Sequence, residues 1–270
     1  MKTCIVSAPF DPVTYAEIRR LLNAAKVNGF RKIYLYVTEE GILPRTERMR
    51  MVRLAVRSWG KLELYEGKDR PANMITLNSA SEETVRQGRY DLAAPGIKKI
   101  LIEEGPYLNE TLDHLCNPHR AAHSRSVAMV CRQLAEAHGL DGDQAWRAGM
   151  MHDMTKAFSD EANGKIMKVY APEMMEYSPK VWHSYTAPVY LYHYLGLRDH
   201  RILEAIKHHT LGDGTGDLDR ILYIADKIEP SRGYDSTKEM ELSRQDLKKG
   251  AELVLAESKQ YMREKEGLNV

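Results

Sequence analysis

Histidines and aspartates in this sequence stand at spacings that could hold a metal ion. Helical periodicity sorts the ten histidines by the face they occupy. In the stretch 119–138, His123 stacks with Val127, Val130 and Leu134 on one apolar face, and His119 lies a turn earlier on the same side. In the stretch 143–157, Ala145, Gly149, His152 and Lys156 share a face, and Asp153 sits beside His152. The doublet His208-His209 divides: Ile202, Ile206 and His209 align, whereas Arg201, Glu204 and His208 face the other way, so His209 points inward. Asp226 falls at the edge of an apolar face centred on Ile221, Ala225 and Ile228, where spacing permits burial without forcing it.

A lone inward histidine is most often a hydrogen-bonded core residue. An inward His followed by an adjacent His-Asp pair and a late Asp is a different matter. Burying Asp153 and Asp226 near each other would cost several kcal/mol unless a cation or hydrogen bonds compensated them. A bound metal does this, and His and carboxylate donors without thiolate suit iron, manganese or zinc. Such ions shift the ionisation of water from about 15.7 toward about 7, which suits hydrolysis of phosphoesters or phosphoanhydrides. Asp153 and Lys156 are then the catalytic candidates, Lys156 lying one turn past His152 where it could reach a phosphate. Arg232 could clamp another phosphate in bidentate fashion, and Arg120 and Thr210 are further substrate-binding candidates. The plainer reading of Lys156 and Arg232 is that of exposed helix-end cations.

The elements that must position these residues fall into two sets. The runs 3–8 and 32–37 are β-prone and flank a helical stretch 15–28 closed by Gly29, which makes one βαβ unit of an α/β domain. A helix over 46–59, a strand over 61–65 and two further helical pieces follow, until Gly105-Pro106 breaks the pattern. Strand signals then stop, and helices are expected over 119–138, 143–157, 180–195, 199–210, 218–229 and 242–264. The expected domains are 1–106, α/β, and 107–270, all-α. A net charge of +1 asks for neither nucleic acid nor an anionic membrane. Cys4, Cys116 and Cys131 suggest neither a disulfide framework nor a thiolate zinc site. The opening MKTCIVSAPFDP makes a poor signal peptide, and no run approaches the roughly 20 apolar residues of a membrane span. A cytoplasmic protein is expected, and a homodimer is compatible with the sequence.

The pattern His123…His152-Asp153…Asp226 resembles that of the HD-domain phosphohydrolases. The segments HRAAHSRSVAMVCRQLAEAHGLD, AGMMHDMTK, AIKHHT and LDRILYIADKIEPSR resemble, more narrowly, the symmetrical bis(nucleosyl)tetraphosphatases, over about residues 107–260. The resemblance implies a centre of two iron ions held by His123, His152, Asp153, His183, His209 and Asp226. It also implies diadenosine tetraphosphate as substrate, cut at its centre to give two ADP. Pro188 departs from the family's continuous helix in this region and predicts a helix beginning at 187–188 or a kink. Two other readings stay open: an HD phosphohydrolase of another nucleotide, and a binding protein that senses a nucleotide.

At the other end, SAPFDPVTYAEI, LPRTERMRMVRLAV and SASEETVRQG resemble motifs of the nicotinate-nucleotide adenylyltransferases, which implies a Rossmann-like nucleotidyltransferase domain over about residues 3–108. Where that family has His-x-Gly-His, this chain has Thr14-Tyr15-Ala16-Glu17, so an acid stands where a histidine would meet triphosphate. Of the phosphate motif Ser81, Val85 and Arg86 remain, with Glu82 and Glu83 replacing Ser and Thr. Thr14-x-x-Glu17 is itself a capping box. The expectation is a domain without transferase activity that scaffolds, dimerises or senses a nucleotide.

Overall fold

A computed structural model of the chain describes residues 2–67, 69–78 and 81–266. The first unit, Met1–Thr111, is built on a parallel sheet. Strands β1 (Thr3–Ala8), β2 (Lys32–Val37), β3 (Leu62–Leu64) and β4 (Ile75–Thr76) run in the order β3-β2-β1-β4, with Val6 paired to Leu35 and Leu35 to Leu64. That order matches the first four positions, 3-2-1-4, of a doubly wound nucleotide-binding sheet. Between the strands lie α1 (Tyr15–Val27) and α2 (Arg45–Val56), and after β4 come the short helices α3 (Glu82–Arg86) and α4 (Lys98–Glu103). The two-residue β4 has no hydrophobic period, since Ile75 and Thr76 are both exposed, and this explains why the sequence shows only the first three strands.

The start of α1 forms as the capping box predicts: the Glu17 amide donates to Thr14 Oγ1, and the Thr14 amide donates to Glu17 Oε2 at 2.7 Å. Around this turn Arg86 donates to the Asp11 carbonyl, Tyr107 donates to Asp11 Oδ1, and Thr14 and Ser81 share a hydroxyl contact of 3.1 Å. Ser79 and Ala80 of the phosphate-motif stretch lie outside the described residues. Beneath the turn Arg48 is fully buried and donates to the carbonyls of Pro9, Glu39 and Leu43 at 2.7, 3.0 and 2.8 Å.

Glu82 is buried in this unit, and burial, with Glu17 and Asp11 nearby, pushes its carboxyl from 4.5 to about 7. Between those two values the folded chain keeps a proton that the unfolded chain has released. The stability Glu82 contributes is therefore full below pH 4.5 and is lost as pH rises through about 7. Glu82→Gln cannot ionise, so it is expected to raise the melting temperature relative to the parent at pH 8 and to leave it nearly unchanged at pH 4. Thermal melts at the two pH values check this, and an equal shift at both would contradict it.

The two compact units meet between Thr111 and Leu112, inside α5 (Leu108–Leu115). Tyr107 and Thr111 hold this turn to the first unit: Thr111 Oγ1 donates to the Arg86 carbonyl at 2.7 Å and meets the Tyr90 hydroxyl at 2.9 Å.

The second unit is helical: α6 (Pro118–Ala137), α7 (Gly142–Met151), α8 (Asp160–Tyr170), α9 (His183–Tyr190), α10 (His200–His208), α11 (Asp217–Ile228), α12 (Thr237–Gln245) and α13 (Leu247–Glu266). Side-chain caps set several starts: Asn117 accepts from the Arg120 amide, Asp141 from that of Gln144, and Asp199 from those of Arg201 and Ile202. Helices α6 and α7 cross closely because Gly149 has no side chain; a Cβ there would sit 2.5 Å from Ala128 Cα. Among the described residues no helix is long and apolar enough to cross a membrane.

Three expected helices differ in the structure. That over 143–157 stops at Met151, and the chain continues through short turns in which Met154 and Lys156 donate to the carbonyls of Met151 and Asp153. That over 242–264 is broken at Asp246, whose carboxylate caps the second helix by accepting from the Lys249 amide. In the third, Pro188 neither begins α9 nor ends it. The helix starts at His183, carries Pro188 inside, and opens into a π-turn over Leu191–Leu195, the kind of irregularity that a missing backbone donor invites. Helix α8 lies where no helix was expected.

Candidate metal centre

The ends of α7 and α10, the first residue of α9, and inner positions of α6 and α11 bring six side chains together. His152 and His209 are the cap residues that follow α7 and α10. The ring of His152 stands 5.3 Å from that of His123 and 5.0 Å from that of His209, and the rings of His183 and His209 are 5.1 Å apart. Asp153 Oδ1 lies 3.2 Å from His183 Nε2, 3.6 Å from His152 Nε2 and 3.7 Å from His209 Nε2. Asp226 Oδ1 lies 3.1 Å from His123 Nε2 and 3.8 Å from His152 Nε2. All six residues are buried. His208 instead stands at the surface, where it pairs with Asp213 and Glu204.

The proton positions follow from the backbone. His152 Nδ1 donates to the Gly149 carbonyl at 2.7 Å and His209 Nδ1 to the Ile206 carbonyl at 2.6 Å. Each Nε2 is therefore a lone pair aimed into the cluster. His152 Nε2 is buried with no hydrogen-bond partner, and burial holds His152 at about 4 despite the pull of Asp153 and Asp226. Burial likewise lowers His183 and His209. Burial would raise Asp153 and Asp226, but His152 and its neighbours for the first, and Lys227 and His123 for the second, hold both carboxyls well below the usual carboxylate range. The imidazoles of His152, His183 and His209, held neutral beside ionised carboxylates, make an electron-rich cavity suited to a cation. Two groups of three donors converge closely enough to hold an ion: His123, His152 and Asp226, and His152, Asp153 and His209.

Sequence reasoning missed Glu229, one turn after Asp226. It is buried, accepts from His123 Nδ1 at 2.9 Å and from the Ser231 amide at 2.7 Å, and so leaves His123 Nε2 to face Asp226. Burial opposes its charge, but the hydroxyls of Ser231 and Ser126 and the His123 ring lower it. On His123, burial is outweighed by Asp226 and Glu229, and the imidazole is raised. Removing such a partner of a ligand costs about 10–100-fold in metal affinity. Glu229→Ala is expected to lose that much in a chelator competition; unchanged affinity would leave Glu229 as a simple helix-end cap.

An open cleft of about 530 Å³ leads to His123 and Asp153, lined also by His119, Arg120, Lys156, Ser231 and Arg232. Lys156 Nζ lies 3.2 Å and Arg120 Nη1 3.8 Å from Asp153 Oδ2. Arg232 lines the cleft, yet it spends Nη2 on Asp226 Oδ1 at 2.8 Å and Nε on the Asp226 carbonyl at 2.9 Å. Lys227, which sequence reasoning did not single out, pairs with Asp226 Oδ2 at 2.8 Å. Thr210 Oγ1 sits 3.3 and 3.5 Å from Nε2 of His209 and His183, against those two imidazoles.

A family model described as HD domain matches residues 120–231. The symmetrical bis(5'-nucleosyl)-tetraphosphatase of Bacillus subtilis is 30% identical over 125 residues, which cover 45% of this chain and 67% of that protein. The chain belongs to the HD-domain hydrolases, in the family of the symmetrical bis(5'-nucleosyl)-tetraphosphatases. A protein of Mycoplasma pneumoniae named as a probable nicotinate-nucleotide adenylyltransferase/Ap4A hydrolase is 31% identical over 188 residues, 66% of this chain and 54% of that protein. With its Mycoplasma genitalium counterpart, matched over 45% of its length, it marks this HD-domain chain as spanning about half of those two relatives. The crystal structure of a predicted HD superfamily hydrolase from Clostridium acetobutylicum shares the fold at a TM-score of 0.55 and 24% identity, over 60% of this chain and 89% of that one.

Proposed function

We propose that the HD unit hydrolyses dinucleoside polyphosphates of the diadenosine tetraphosphate kind at its centre, giving two ADP, with His123, His152, Asp153, His183, His209 and Asp226 as ligands of two metal ions, iron foremost and manganese or zinc as alternatives. The observation that carries this is the unpartnered, buried Nε2 of His152, which belongs to both donor groups. The substrate reading is supported by the name of the Bacillus subtilis relative.

Held by these six residues, metal ions would supply Lewis acidity toward water and the phosphate. The chain's own residues do the rest. Asp153 presents Oδ1 to the three histidines and turns Oδ2 toward Lys156 and Arg120. Those two cations, at the cleft, offer donors to phosphoryl oxygens that gain charge in the transition state. Arg232 reaches a phosphate once its hold on Asp226 is loosened. Burial of His152, His183 and His209 keeps these three neutral and so available as ligands.

For the N-terminal unit the reading is a transferase fold without transferase activity, which serves as scaffold, dimer contact or nucleotide sensor. Glu17 already occupies the amide at the helix start, and Glu82 is buried close by. In this reading the protein is cytoplasmic and acts on a free nucleotide, with neither nucleic acid nor membrane as partner.

The test is product analysis of the full chain, loaded with iron, manganese or zinc, on diadenosine tetraphosphate. ADP alone is expected; ATP plus AMP would contradict symmetrical cleavage, and no turnover of any nucleotide would favour a binding protein. His183→Ala is expected to lower metal content from two ions toward one. Unchanged stoichiometry would remove His183 from the site.

A further inference from the structure

Three uncharged side chains beside the centre form a closed hydrogen-bonded ring. Thr155 lies in the turns after α7, between Asp153 and Phe158; Asn163 is on α8; Thr186 is on α9, the helix that His183 begins. Thr155 and Thr186 are fully buried and Asn163 is 5% exposed. Thr186 Oγ1 donates to Asn163 Oδ1 at 2.8 Å. That uses its one proton, so Thr155 is the donor in the 2.8 Å Thr155–Thr186 contact. The Thr155 hydroxyl also reaches the His183 carbonyl at 3.3 Å. Asn163 Nδ2 closes the ring by donating to the Thr155 carbonyl at 3.2 Å, with the Phe158 carbonyl at 3.4 Å.

The ring joins the segment that carries Asp153 to the helix that carries His183, with the single Thr155 proton shared between Thr186 Oγ1 and the His183 carbonyl. His123 and Asp226 sit on helices of 20 and 12 residues and His152 follows one of 10, whereas α9 has eight residues, contains Pro188 and runs into a π-turn. A short, irregular helix holds its first residue poorly unless something else fixes it.

We infer that Thr155, Asn163 and Thr186 are positioning residues that set His183 Nε2 against Asp153 Oδ1, and thereby govern how tightly the second metal ion is held. This rests on the two-ion reading above. Thr186→Val keeps the shape and removes the hydroxyl that links the ring; Thr186→Ser keeps the hydroxyl. The full chain is equilibrated with manganese(II) and a competing chelator, and bound ions are counted as the chelator rises. The parent is expected to hold two ions. In Thr186→Val one of them should bind about 10–100-fold more weakly, the range for lost support of a ligand, while the other keeps its affinity, and Thr186→Ser should restore the parent behaviour. Thr155→Ala cuts the ring from its other end and carries the same expectation should Thr186→Val not fold. Two ions held at unchanged affinity in the variants, or both weakened together in step with the melting temperature, would overturn the inference while leaving the two-ion reading intact. A parent that binds a single ion would overturn that reading, and this inference with it.

Discussion

Asp153→Ala is expected to lower the proposed hydrolysis of diadenosine tetraphosphate by at least about 1,000-fold, equivalent to about 4 kcal/mol in the barrier. The carboxylate meets three histidine nitrogens through one oxygen and two cations through the other. The substitution should also abolish the rise in melting temperature that a bound ion gives the parent, since a ligand stabilises only the state that binds it. Product analysis, metal content and melts with and without manganese read these effects, and Asp153→Asn, which keeps the shape, separates loss of charge from loss of packing. A variant with activity within tenfold of the parent and a full metal complement would sink the role assigned to this residue.

Arg48→Met carries the largest expected effect on stability. The guanidinium is buried and satisfies three loop carbonyls, of Pro9, Glu39 and Leu43. Methionine fills much of the volume but offers no donor, and each carbonyl left without one costs about 1–3 kcal/mol. With some relaxation the loss should be about 3–5 kcal/mol, or more than about 10 °C in the melting temperature of a unit this size. Arg48→Lys, which keeps the charge but not the fork of donors, should recover part of it. A fall of less than about 3 °C for the methionine variant would mean that the loops are held by other contacts.

Legibility in the sequence followed the strength of the period. Strands β1 and β2 are plain as short β-prone runs, TCIVSA and KIYLYV, buried without a break at their ends, and the inward face of α6 because its buried positions recur at helical spacing. The choice between His208 and His209 was readable for the same reason: α10 is amphipathic, with Ile202, Leu203, Ala205 and Ile206 inside. Helix α11 is buried almost all round, from Ile221 to Asp226, so its period carries little signal and Asp226 looked marginal although it lies inside. Glu229 was hidden for another reason. It stands beyond the last helical residue, before Pro230, and its partner His123 is distant in the chain. The Asp246 break and the short β4 depend on single caps and two residues, too little for any periodic pattern to register.

The capping box at Thr14 has a consequence for any anion offered to the N-terminal unit. The carboxylate of Glu17 is tethered a single turn from the amide it occupies, so its local concentration there is far above that of any dissolved nucleotide, which must displace it to bind. The helix start thus behaves as a site already filled by a competitor that cannot diffuse away. Evicting it would also loosen the first turn of α1, so anion binding and the integrity of that helix oppose each other at the same amide.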